Sequence, residues 1–144
     1  MHIFINASYS AHVDFGTGLV YPGYKKWLES ILCTIESAGH TVFCALRADN
    51  YTINNADPAE AFSLDIAQIK KSDAMIALLN DKTSAGVQTE IGYGVALEKR
   101  VFLAYEARHK LEYFNDAMIR AGVVQKMILP LETTELKAAF LSLT

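Results

Sequence analysis

At its centre the chain reads Ser72-Asp73-Ala74-Met75-Ile76-Ala77-Leu78-Leu79-Asn80-Asp81-Lys82-Thr83-Ser84-Ala85-Gly86. Within the wider span Lys71–Ala104, the apolar run Ala74–Leu79 passes through a polar break into a helix-compatible segment, Val87–Lys99, and then into a second apolar run, Val101–Ala104. Strands this continuously apolar have no water-facing side, so the span predicts a β-loop-α-β unit buried on both faces, as in a parallel sheet. Ligands of open parallel sheets bind beyond the carboxyl ends of the strands, which directs attention to Asn80–Gly86 and the helix after it. Glu90 is expected in the first turn of that helix, where free N–H groups and the helix dipole favour an ionised carboxylate.

Working outward, His2-Ile3-Phe4-Ile5 predicts an opening strand that ends in Asn6-Ala7-Ser8-Tyr9. Small and polar residues continue to Gly16-Thr17-Gly18, a first loop at the same edge. Trp27, Leu28, Ile31, Leu32 and Ile35 recur at helical spacing in Tyr24–Ala38, and Gly39 suits the end of that helix. Thr41–Leu46 predicts a second strand, and Arg47–Asp57, rich in Asp and Asn, a mobile loop. Pro58 after Asp57 starts a helix to about Lys71, with Phe62, Ile66 and Ile69 on one face. Beyond the central unit come a helix over His109–Ala121 closed by Gly122, a strand over Val123–Leu129 and an amphipathic helix over Glu132–Leu143. This alternation predicts one α/β domain over residues 1–144, a doubly wound five-stranded parallel sheet in a Rossmann-like or flavodoxin-like three-layer sandwich.

Hydrophobic residues make up 51% and charged residues 20% of the 144 positions, a balance that suits a soluble domain with a core of its own. A net charge of -3 and a pI near 5.8 argue against a nucleic acid polymer or an anionic membrane as partner. Cys33 and Cys44 have no metal-ligand spacing and read as reduced thiols. With no leader-like start and no apolar stretch of about 18 residues, a cytoplasmic location is expected.

No Gly-x-Gly-x-x-Gly follows the first strand and no P-loop occurs, which weakens dinucleotide and nucleoside-triphosphate readings. A flavodoxin or response-regulator reading lacks an acidic cluster after the first strand. His2, His12, His40 and His109 are scattered singly, so no metal site is expected. What remains is a pair of carboxylates near loop ends: Asp65, eight residues ahead of Asp73, and Glu90. Asp65 falls mid-helix, and its position leaves open whether it faces the site. Glu90 alone also reads as an ordinary helix-start carboxylate.

Together, Asp65-Ile66-Ala67-Gln68-Ile69-Lys70-Lys71-Ser72-Asp73-Ala74-Met75-Ile76-Ala77 and Ser84-Ala85-Gly86-Val87-Gln88-Thr89-Glu90-Ile91-Gly92-Tyr93-Gly94 resemble the nucleoside 2-deoxyribosyltransferase family. That superfamily also contains 5′-monophosphate N-glycosidases. The Asp ahead of Ser-Asp and the Gly-x-x-x-Glu-x-Gly turn match in order and spacing; with the first strand and Ala117-Met118-Ile119-Arg120, the resemblance covers most of the chain. It implies that Glu90 attacks the anomeric carbon and forms a covalent glycosyl intermediate, which water or an acceptor base resolves with a second inversion. Asp65 matches the family's carboxylate near base and sugar, and would handle the proton of the departing base. Tyr9 and Tyr93 would orient Glu90 through their hydroxyls, or else simply pack. Asn6, Ser8 and Gly86, at the carboxyl edge, complete the candidate substrate contacts on this side.

Ser84, six residues before Glu90, stands where the transferases usually carry an Asp for the sugar 5′-hydroxyl and the monophosphate hydrolases a Ser. A hydroxyl tolerates a phosphate that a carboxylate would repel. Asp116 stands where the transferases place an Asn and the hydrolases a Ser, contributed by the neighbouring subunit, and its charge would oppose a phosphate. The loop Ser8–His12 lacks the arginine of the phosphate-binding branch, for which His12 or a backbone nest around Gly16-Thr17-Gly18 would substitute. Met118 would pack over a base or fill a subunit contact. The resemblance thus implies a cofactor-free enzyme that cleaves the N-glycosidic bond of a small-molecule nucleoside or nucleoside 5′-monophosphate. Hydrolysis is favoured, in a homodimer or higher homo-oligomer with shared sites. The alternatives are a base-exchanging nucleoside 2-deoxyribosyltransferase and a non-catalytic nucleotide-binding or sensing module.

Overall fold

The apolar runs become the interior strands of a five-stranded sheet in a computed structural model that describes residues 1–53, 57–80 and 84–141. The elements are β1 (His2–Asn6), β2 (Val13–Asp14), β3 (Leu19–Val20), α1 (Pro22–Ser37), β4 (Thr41–Cys44), α2 (Ala45–Ala48), α3 (Pro58–Lys71), β5 (Ala74–Leu78), α4 (Ala85–Ala96), β6 (Arg100–Glu106), α5 (Tyr113–Arg120), β7 (Gln125–Leu129) and α6 (Thr133–Leu141). The main sheet runs β4-β1-β5-β6-β7 with every neighbouring pair parallel. This is the expected three-layer, doubly wound α/β arrangement.

Side chains alternate across each strand, so one strand feeds two cores. Ile3 and Ile5 of β1, Ile76 of β5 and Phe102 of β6 join the core under α1 and α6. Phe4, Met75, Leu103 and their neighbours join the core on the face of α3, α4 and α5. Every residue of β5 is buried, which accounts for the run that contains no polar position. Because β1 is followed by β4 on one side and by β5 on the other, the winding direction reverses between β1 and β5, and a crevice opens beyond their carboxyl ends. Helix α4 packs close on β5 and β6, and its first turns reach this crevice. A Cβ at Gly94 would sit 3.0 Å from Met75 Sδ and 3.3 Å from Val101 Cγ2, so a larger residue there would require those side chains to give by a few tenths of an ångström.

Several boundaries differ from the sequence reading. α4 starts at Ala85 rather than Val87, because the Ser84 hydroxyl caps it by accepting from the Val87 N–H at 3.2 Å. Glu90 is therefore the sixth residue of the helix, in its second turn and not its first. β4 stops at Cys44, two residues short of Leu46, and the chain folds into the short α2. Arg47 draws it back by pairing with Glu29 at 2.7 Å and Glu36 at 2.6 Å on α1. The first loop contains the β2–β3 hairpin, turned by the Asp14 carboxylate, which accepts from Gly16 N–H at 2.8 Å. The helix predicted from His109 begins only at Tyr113, since a turn closed by His109 N–H on the Glu106 carbonyl precedes it. The final strand begins at Gln125 and the final helix at Thr133, while Ser142 and Leu143 of the predicted helix lie outside the described residues. Asn54 and Asn55 of the predicted mobile loop and Asp81, Lys82 and Thr83 of the predicted site loop lie outside the described residues. Among the described residues no helix is long and apolar enough to cross a membrane.

Candidate active site

The carboxyl ends of β1 and β4, together with α3 and the start of α4, enclose a cavity of about 370 Å³. Its wall is built from Asn6 at the end of β1 and Ala7, Tyr9 and Ser10 beyond it, Cys44 at the end of β4 with Ala45 and Leu46 of α2, Asp65 of α3, and Ser84–Val87 and Glu90 from the start of α4. A second cavity of about 430 Å³ adjoins it and shares Tyr9, Ala45 and Asp65, its remaining wall including Asp49, Asp57, Glu60 and Leu64. Spaces of this size suit a small molecule, and they lie at the switch point where such sheets bind ligands.

Asn6, 2% exposed, donates its side-chain N–H to the Val87 carbonyl at 2.9 Å and so ties the end of β1 to the first turn of α4. That link fixes the helix that carries Glu90. Ser84 also lines the cavity; its oxygen accepts from Val87 N–H, which leaves the hydroxyl hydrogen to donate to a ligand. Gly86 is on the wall as well. Asp65, whose helix position left its direction open, faces the cavity together with Glu90, and its Oδ1 is buried without a hydrogen-bond partner.

Burial is the main cause that pushes the Glu90 carboxyl up, to about 8, with the charge of Asp65 adding to it. Burial and then Asp49 push Asp65 up to about 6. In the second helical turn, then, desolvation outweighs the dipole effect expected of a helix start. Two carboxyls facing one cavity with raised proton affinities share a proton over the range between those values. Groups so perturbed in a cleft are candidates for chemistry.

Other predicted positions fall elsewhere. The Tyr9 hydroxyl donates to Asp49 Oδ2 at 2.6 Å and not to Glu90; burial first, then Asp49, raises the phenol's proton affinity, so it stays a neutral donor. Tyr93 is packed with the core on the α4 face and does not line the cavity. Ser8 is 1% exposed with its hydroxyl unpaired, also off the wall. Asp116 pairs with Arg120 at 2.8 Å on α5, and Met118 packs on the α3–α5 side of the sheet, both away from this chain's cavity. His12 stacks on Tyr24 and bonds Asn80 at 2.9 Å, and the Gly16–Gly18 turn closes the hairpin, so neither stands on the wall as a phosphate substitute. Sequence reasoning missed Ser10, the Cys44–Leu46 segment and Asp49. The same carboxyl-edge rule applied to the second strand would have found the latter two.

The sequence profile of the family described as nucleoside 2-deoxyribosyltransferase matches residues 15–131. The chain belongs to that family. As a member of the nucleoside 2-deoxyribosyltransferase family it is an enzyme that acts on nucleosides or nucleotides. The fold is shared with the CMP N-glycosidase BcmB of Clostridium botulinum, at 22% identity and a TM-score of 0.68 over 99% of this chain and 100% of that one. It is shared also with a 2-deoxyribosyltransferase from Bacillus psychrosaccharolyticus, at 16% identity and a TM-score of 0.66 over 95% and 90%. BlsM, solved in solution, aligns at 22% identity and a TM-score of 0.76 over 96% and 88%. Among curated proteins no relative is detected.

Proposed function

We propose that this nucleoside 2-deoxyribosyltransferase family member cleaves the N-glycosidic bond of a nucleoside or nucleoside 5′-monophosphate through a glycosyl-Glu90 intermediate, and that water rather than an acceptor base resolves it. The observation that carries the reading is the facing of Glu90 and Asp65 across one cavity at the open rim of the sheet. A Glu90 oxygen bonds C1′ as the C1′–N bond breaks, and its electron pair passes to the ring nitrogen, which takes the proton of Asp65. A water oxygen then bonds C1′, gives a proton to Asp65, and the C1′–Glu90 bond breaks. Both steps invert, so configuration is retained.

Ser84 supports a 5′-oxygen or 5′-phosphate at the start of α4, where its hydroxyl hydrogen and the free helix N–H groups point to an anion. Asp116 and Met118 would serve a neighbouring subunit's pocket in a homo-oligomer. In favour of such a contact, Tyr113 and Phe114 stand 87% and 73% exposed on the same helix. Incubation with a panel of nucleosides and 5′-monophosphates, with and without a free base, tests the proposal. Base released without an acceptor supports hydrolysis; exchange that needs an acceptor means a transferase; binding without turnover in any mixture means a sensor. Glu90→Ala should remove turnover and leave the fold intact, and normal rates in that variant would exclude Glu90 as nucleophile.

A further inference from the structure

The reaction just proposed asks the two carboxyls to divide one proton in a particular way. Glu90 must be ionised to attack, and Asp65 must keep the proton for the base. In the free protein the preference runs the other way, since Glu90 sits near 8 and Asp65 near 6, a gap on the order of a hundredfold. Anything that raises the proton affinity of Asp65 enlarges the productive share.

Asp49, just past the end of α2, is placed to do this. It shares a cavity wall with Asp65, and the Tyr9 hydroxyl, which lines both cavities, donates to it at 2.6 Å. The other titratable groups on these walls are Glu90 from α4, Cys44 from β4, and Asp57 and Glu60 from the cap and first turn of α3. Among the described residues no Lys, Arg or His lines either cavity, so no cation there offsets Asp49.

We propose that Asp49 is a positioning residue for the proton of Asp65. Its negative charge, pinned by the Tyr9 hydroxyl, holds that proton on Asp65 in competition with Glu90 and so sets how much of the enzyme is ready to protonate the departing base. The inference rests on the glycosidic reading for its consequence, but its electrostatic core is measurable without turnover.

The test is Asp49→Asn, which keeps the size and an oxygen for Tyr9 but removes the charge. Titration of Asp65 followed by its ¹³Cγ shift in aspartate-labelled protein should show the midpoint falling by about half a pH unit or more. The acid limb of kcat/KM should move down by the same amount and the plateau should drop about threefold, while the alkaline limb stays in place. Tyr9→Phe should move the midpoint in the same direction, because Asp49 is then no longer held. An unchanged Asp65 midpoint in Asp49→Asn overturns the proposal. A lower plateau with an unmoved acid limb also overturns it, by leaving Asp49 a structural role alone. If the wild-type protein releases no base from any substrate, the glycosidic reading fails while the titration still decides whether Asp49 acts on Asp65.

Discussion

Glu90→Gln should stabilise the protein while it destroys activity, and the gain should depend on pH. The folded-state carboxyl titrates near 8 against an ordinary value of 4.5, mainly through burial. A carboxyl raised in this way binds its proton more tightly when folded, so its contribution favours folding at low pH and turns unfavourable as pH rises through 4.5 toward 8. Integrated, the unfavourable contribution reaches about 3 kcal/mol at pH 7 and approaches about 5 kcal/mol above pH 8. Gln has the same shape and no charge, so the variant escapes this cost. Wild type and Glu90→Gln should unfold alike near pH 4. At pH 7 the variant should melt about 10 °C higher. Urea and thermal unfolding of both proteins from pH 4 to pH 9 provide the assay. A stability difference that stays flat between pH 5 and pH 8 would refute the claim that Glu90 is held in a desolvated cavity.

Three further outcomes follow from the same geometry. kcat/KM should trace a bell with limbs near 6 and 8, since the productive form carries one proton on the Asp65–Glu90 pair, and a rate still rising at pH 9 would contradict that. Ser84→Asp should weaken binding of a 5′-monophosphate far more than of the matching nucleoside, as measured by calorimetry; equal weakening would place the phosphate elsewhere. Asn6→Ala should cost about 1–3 kcal/mol in urea unfolding by leaving the Val87 carbonyl without its buried donor, and should also lower kcat, because the first turn of α4 loses its tie to β1. A variant as stable and as active as wild type would show that this tie does not position Glu90.

The order of elements was readable from the chain because its signals are local. Ala74–Leu78 is apolar at every position, and a strand with no polar side has to be covered on both faces, which is enough to require helices on each side of a parallel sheet. The Pro58 start of α3 after Asp57 and the spacing of Asp65, Ser84 and Glu90 were likewise matters of short-range order. Local signals were less able to fix ends. α2 replaced the last two residues of a predicted strand because Arg47 reaches two carboxylates on a helix earlier in the chain, and α4 began earlier because Ser84 acts as a cap.

The residue types available for chemistry, and the edge of the sheet where they gather, were determined by the sequence alone. Only the tertiary structure decided what each carboxyl faces. It brought Asp65 and Glu90 onto one cavity wall, gave the Tyr9 hydroxyl to Asp49 forty residues away, and packed the half-buried Tyr93 against the core. The reason is physical: hydrophobic period and capping act over a few residues, whereas a cavity wall is assembled from segments distant in the chain. The proton affinity of a group on that wall depends on the water and charge those segments exclude or supply.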